Sequence, residues 1–211
     1  SPYPLIELAE ETGVIGDLDL AVCHKAIKLI RKFSQKETFP PVAINVSGSS
    51  IAQPEFIDEL YGIISKEAGL AEKLMFEITE SSAIDDVETV NAATQKIRDM
   101  GFKFCLDDFG AGASSFNYLS ELDIDVVKFD GPIVRRACST DKGNDVLLGM
   151  VKMCDEMNIW TVAERVETRK DANHLFYLGV SYGQGHFFGE AVLDPFDYAD
   201  KFQNRLIHHK S

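Results

Sequence analysis

From about Val42 onward the chain alternates between two hydrophobic periods, a short apolar and β-branched run followed by a longer segment with apolar positions at helical spacing. The short runs predict strands at Val42–Val46 (VAINV), Lys73–Ile78 (KLMFEI), Lys103–Asp107 (KFCLD), Asp125–Phe129 (DVVKF) and Trp160–Glu164 (WTVAE), with a last short one near Tyr182. The segments between them predict helices near Pro54–Ala68, Val87–Met100, Ser115–Leu119, Asn144–Met157 and Lys170–Leu178. Ahead of this alternation, residues 1–12 read as a helix with Ser1 and Pro2 as cap and first turn, Leu5, Ile6 and Leu8 on the apolar face, and Gly13 as the stop. A second helix runs from about Asp17 to Phe33.

Repeated βα units imply a parallel sheet, and so many in succession favour a barrel over a doubly wound sheet. A closed barrel of this kind needs about eight strands, two more than the pattern supplies. Either the sheet is open or two strands' worth of chain precedes Ser1, and the start within a helix cap favours the second. The expected fold class is α/β, a TIM-like (β/α)8 barrel with its first two strands absent from this chain. Residues 1–211 read as one domain, because no shift of composition and no Pro/Gly/Ser-rich linker divides them.

Composition narrows the function. At 211 residues and 45% hydrophobic content the chain is long enough for a substantial core, and its apolar runs fall far short of a membrane span. The four cysteines, Cys23, Cys105, Cys138 and Cys154, form no CxxC pair, which argues for reduced thiols and a cytoplasmic setting for this domain. The net charge of −13 disfavours a protein that grips duplex DNA or RNA by phosphate neutralisation. A small anionic substrate is compatible with that charge only where a local cation, such as a metal ion, overrides the global field.

The ends of the predicted strands carry the candidate chemistry. Barrel interiors are normally filled by Val, Ile and Leu, yet polar residues recur here at the end where barrel enzymes place their sites. They are Asn45, Glu77, Asp107 with Asp108, Lys128, Glu164 and Gln184. Each has a plain structural reading. Asn45 before Ser47 and Gly48 suits a turn, and Asp-Asp-Phe-Gly suits a turn and helix cap. Lys128 has Asp130 or Asp125 as an ion-pair partner, and Glu164 with Glu167 suits a solvated helix start. Their recurrence at successive strand ends argues for a shared site. Oxygen donors dominate the set, so the matching ions are Mg²⁺ or Mn²⁺ rather than zinc. Adjacent Asp107 and Asp108, each facing a different ion with one bridging, suit two-metal hydrolysis of a phosphate ester, with Lys128 orienting or helping to deprotonate the attacking water.

The chain also resembles a known family. SPYPLIELAEETGVI, INVSG, FEITE, DDFGAGASSFNYL, VVKFDG, AERVET and GQGHFF follow, in order and spacing, the motifs of EAL-type cyclic di-GMP phosphodiesterases, from Ser1 to about Pro195. The resemblance implies a barrel of the EAL type that hydrolyses cyclic di-GMP to linear pGpG with two Mg²⁺ or Mn²⁺ ions. It implies metal ligands at Asn45, Glu77, Asp107, Asp108 and Glu164, with Lys128, Glu164 and Asp107 as the catalytic set. It places a substrate contact at Gln184 and, at Glu80, the anchor of the Gly110–Phe116 loop. It further implies a homodimer, and flanking sensory or GGDEF-type domains in a full-length protein able to attach to a membrane. The Glu-Ala-Leu signature, with one metal ligand and a substrate-contacting arginine, would lie upstream of Ser1. Within the chain, Arg165 stands where the family has the glycine of AEGVE, Ala113 replaces a common tyrosine, and GEAV at 189–192 replaces a basic residue and proline. These departures keep a second reading open, a catalytically weak EAL domain acting as a cyclic di-GMP receptor. A third, a barrel lyase with one Mg²⁺ and a lysine base, is disfavoured by the doubled aspartate.

Overall fold

The computed structural model describes residues 3–33, 41–67, 69–79, 87–111 and 115–192. Two compact units emerge, the first of residues 1–105 with 116–123 and the second of residues 106–115 with 124–211. The first holds helices α1 (Tyr3–Glu11) and α2 (Ile15–Phe33), strand β1 (Val42–Asn45), helices α3 (Gly48–Ile51) and α4 (Pro54–Ile64), strand β2 (Leu74–Thr79) and helix α5 (Val87–Arg98). Strand β3 (Lys103–Phe109) starts in the first unit and ends in the second, and helix α6 (Ser115–Glu121) follows it. The second unit continues through β4 (Val126–Phe129), α7 (Gly131–Ser139), α8 (Asp141–Glu156), β5 (Trp160–Ala163), α9 (Arg169–Tyr177) and β6 (Tyr182–Gly183).

Within the first unit the strand order is β1, β2, β3, and within the second it is β3, β4, β5, β6. Each strand thus lies beside its predecessor in sequence, the order of a (β/α)8 barrel and not the reversing order of a doubly wound sheet. The pairings β1/β2, β4/β5 and β5/β6 are parallel, as the βα succession predicts. Parallel strands covered on both faces should be apolar throughout, and β4 is buried at every position, Lys128 included.

In the first unit, registration of Asn45 against Glu77 puts those two side chains on one face, opposite the buried Ile44, Val46, Phe76 and Ile78. The turn that follows Asn45 is held from α2. The buried Asp19 carboxylate accepts from the Ser47 backbone N–H at 2.9 Å and from the Ser50 hydroxyl at 2.7 Å. Burial pushes that carboxyl above its ordinary value, with Glu10 adding to the rise and the two hydrogen bonds opposing it.

In the second unit, Thr168 caps α9 by accepting from the Asp171 N–H at 3.1 Å, and Thr140 caps α8 by accepting from the Gly143 N–H at 3.0 Å. Strand β6 has only two residues, and its register is set just outside the strand. The Ser181 N–H donates to Thr161 Oγ1 at 3.1 Å, while the Thr161 N–H donates to Ser181 Oγ at 3.2 Å, both groups buried. Cys23, Cys105 and Cys154 are buried free thiols, and burial pushes those of Cys23 and Cys154 up to about 11, out of the reactive range.

Every predicted strand and helix is present, with differences at particular points. β3 runs two residues past Asp107, where the sequence suggested a turn, and its last residue, Phe109, accepts at its carbonyl from the Asp130 N–H at 3.4 Å. Helices α3 and α7 were not anticipated. α3 is a single turn in a Gly-Ser-Ser stretch that reads as loop, and α7 opens on Gly131 and Pro132, with only Gly131, Val134 and Ala137 buried to reveal its period. Ser1 and Pro2 lie outside the described residues, while Gly13, at φ +74°, does stop α1. Among the described residues no helix is long and apolar enough to cross a membrane.

Candidate active site

Consecutive residues of a strand normally face opposite sides, so adjacent aspartates should not share a site. The end of β3 departs from that rule. Asp108 has φ +54°, a left-handed conformation that Asp tolerates better than most residues. Its backbone N–H donates to Asp107 Oδ1 at 2.9 Å, and its carbonyl accepts from the Ala111 N–H at 3.1 Å. The kink brings carboxylate oxygens of Asp107, Asp108 and Glu164 within 4.8 Å of one another, all three half-buried. Burial pushes the Asp108 carboxyl above its usual value, and Asp107, Glu164 and Asp130 push it further while Lys128 pulls it back. Anions gathered this closely out of full contact with water need a compensating cation.

Lys128 supplies part of that compensation. Its ammonium lies 2.9 Å from Asp107 Oδ1 and 2.8 Å from Glu164 Oε1, with the side chain 7% exposed. Sequence alone offered Asp130 or Asp125 as partners; the structure supplies Asp107 and Glu164, the carboxylates at the ends of the flanking strands. Three carboxylates against one ammonium leave the cluster short of positive charge by the charge of one divalent ion. The donor set is all oxygen, as Mg²⁺ or Mn²⁺ prefers.

Glu164 and Gln184 share an open cleft of ≈ 970 Å³. Arg165, Glu167, His186 and Glu190 also line it, and two of these, Arg165 and Glu190 in GEAV, are positions where the sequence departs from the family pattern. Glu167 had been read as a helix start, and its position three residues after Glu164 was the available signal. Asp130, facing Asp108 electrostatically, was marked by its place just past β4. Gln184 is tied down through its backbone, donating to the Ala163 carbonyl at 2.8 Å and accepting from the Val166 N–H at 2.9 Å. Gly185 makes that close approach feasible. It has φ +151°, and a Cβ there would sit 2.4 Å from both the nitrogen and the oxygen of Val166. Gly185→Ala is therefore expected to cost about 2–4 kcal/mol through strain and overpacking. A urea melt showing an unshifted midpoint would contradict this.

Asn45 and Glu77 are register partners in the first unit, with Asn45 exposed and Glu77 half-buried. Glu80 and Ala113 lie outside the described residues.

The family model described as "EAL domain" matches residues 1–191. The cyclic di-GMP phosphodiesterase PdeB of Shewanella oneidensis is 31% identical over 211 residues, an alignment covering 98% of this chain and 24% of PdeB. An EAL domain protein from Listeria monocytogenes superposes with a TM-score of 0.77 at 26% identity, over 90% of this chain and 73% of that one. The phosphodiesterase PaMucR, solved as a c-di-GMP complex, superposes with a TM-score of 0.79 at 26% identity, over 90% of this chain and 77% of that one. This chain thus spans well under two thirds of its curated relative's length. The match over most of the chain, on a fold shared with solved EAL domains, shows that the chain belongs to the EAL domain family.

Proposed function

We propose that this chain hydrolyses one phosphodiester of cyclic di-GMP to linear pGpG, lowering the level of that messenger. The observation that carries the reading is the cluster of Asp107, Asp108 and Glu164 with Lys128 seated against two of its members. The oxygen-only donors fit Mg²⁺ or Mn²⁺, and Asn45 and Glu77 are further ligands by family resemblance. Two such ions, when bound, supply Lewis acidity and a more acidic water. The reaction adds water across the P–O3′ bond. The water oxygen bonds to phosphorus, the 3′ oxygen leaves with a proton, and the phosphate stays on the 5′ side.

The protein's own groups divide the rest of the work. An ammonium donates hydrogen bonds and accepts none, so Lys128 in its ion-paired state orients the attacking water, and a neighbouring carboxylate takes the proton. Gln184, exposed on the cleft, holds the substrate. Reduced cysteines and a nucleotide messenger suit a cytoplasmic domain. By the family resemblance, the full-length protein carries flanking sensory or GGDEF-type domains and acts as a homodimer.

The test is pGpG release by the protein carrying this sequence, before and after chelation. Turnover is expected to vanish with chelator and return with Mg²⁺ or Mn²⁺. Turnover that persists in chelator sinks the metal assignment. Tight binding of cyclic di-GMP with no turnover under any metal would select the receptor reading instead.

A further inference from the structure

Arg165 combines features that cost free energy and that nothing among the described residues offsets. Its backbone has φ +52°, a conformation in which, unlike Asp or Asn, an arginine has no short side chain to bond its own backbone. Its side-chain stem crosses the start of α7, where a Cβ on the buried Gly131 would lie 2.3 Å from Arg165 Cδ and 2.9 Å from Cγ and Nε. That is the positive end of the helix, the less favourable end for a cation. Its guanidinium makes no ion pair or hydrogen bond among the described residues, although the side chain is exposed on the cleft shared with Glu164, Glu167 and Glu190.

An anion in the cleft would offset the last two of these at once. It would pair with the free guanidinium and would suit the positive end of α7. The cleft's carboxylates and the chain's charge of −13 otherwise repel a substrate phosphate, and Arg165 is the only Lys or Arg among the cleft's described lining residues. A cyclic dinucleotide carries two phosphodiesters, and the reacting one belongs at the Asp107, Asp108 and Glu164 cluster. We infer that Arg165 is a substrate-binding residue that holds the second, non-reacting phosphodiester of the cyclic dinucleotide. This rests on the phosphodiesterase reading above. The two departures on this cleft, Arg165 for glycine and Glu190 in GEAV where a basic residue is usual, then belong together: the cleft keeps one cation and carries it on a different loop.

The experiment compares wild type with Arg165→Gln, Arg165→Lys and Arg165→Gly in the protein carrying this sequence, measuring turnover and calorimetric binding of cyclic di-GMP. Glycine accepts the positive φ, so Arg165→Gly is expected to melt no lower than wild type, which keeps folding out of the comparison. The Gln and Gly variants should raise KM and Kd about 10-fold or more, with kcat changed far less. Their KM should also lose part of its dependence on salt. Lysine, a point charge that still pairs with phosphate, should recover most of the loss. Unchanged KM and Kd in the glycine variant, beside an active wild type, overturn the inference and leave the phosphodiesterase reading standing. A kcat effect at constant KM overturns it as well. So does an equal loss in the lysine and glutamine variants with lost discrimination against cyclic di-AMP, which would make Arg165 a reader of guanine. A wild type that neither binds nor hydrolyses cyclic di-GMP fails the underlying reading and takes this inference with it.

Discussion

Asp107→Asn is expected to lower hydrolysis of cyclic di-GMP by about a thousandfold or more while weakening its binding far less. Asp107 is the point on which the cluster turns. Its Oδ1 accepts from both the Asp108 backbone and Lys128, and it shares with Asp108 and Glu164 a space of 4.8 Å. The amide preserves shape and removes charge. Less charge holds divalent ions less firmly, and their effect falls mainly on oxygens whose charge develops in the transition state, where it amounts to several kcal/mol. At about 1.4 kcal/mol per factor of ten, that difference appears in kcat before it appears in affinity. Single-turnover rates at saturating Mn²⁺, beside equilibrium binding, separate the two. A variant turning over at the wild-type rate would show that this carboxylate holds no reacting ion.

The second large effect is expected from Lys128→Met, and its first sign is in stability. Removing the ammonium leaves Asp107 and Glu164, 13% and 15% exposed, facing one another without the cation that now lies between them. Breaking a buried pair in this way costs about 3–5 kcal/mol, and the partial exposure here brings the expected loss to roughly 2–4 kcal/mol in metal-free protein. Urea unfolding in chelator reads it directly. Added Mn²⁺ should recover part of the lost stability, since a divalent ion supplies positive charge to the same oxygens, but turnover should stay at least about a hundredfold down because the water is no longer oriented. An unshifted unfolding midpoint in chelator would mean that Lys128 does not balance the cluster.

Much of this site is legible in the sequence, for a physical reason. A barrel wall alternates apolar side chains, so a lysine between Val127 and Phe129, or a glutamate after Val162 and Ala163, stands out against the pattern. The strand-end rule then pointed to one rim for each of them. What could not be read were departures from regular backbone. Period-2 reasoning places Asp107 and Asp108 on opposite faces, and only the positive φ at Asp108 brings them together. The same limit shortened β3 and concealed α7, whose opening Gly-Pro looks like a turn until the helix behind it is seen. Arg165 was noticed as an oddity of sequence. Its course across Gly131 is a tertiary fact that no local pattern carries.

The exchange of hydroxyl and backbone hydrogen bonds between Thr161 and Ser181 also bears on how the cleft can be rebuilt. Those bonds index β6 against β5 from the buried side, and the register Val162 to Tyr182 and Ala163 to Gly183 follows, delivering Gln184 to the rim. Alignment and recognition are therefore encoded in different residues. A library that randomises positions 165, 184, 186 and 190 while leaving 161 and 181 untouched would vary what the cleft selects without losing the scaffold that presents it.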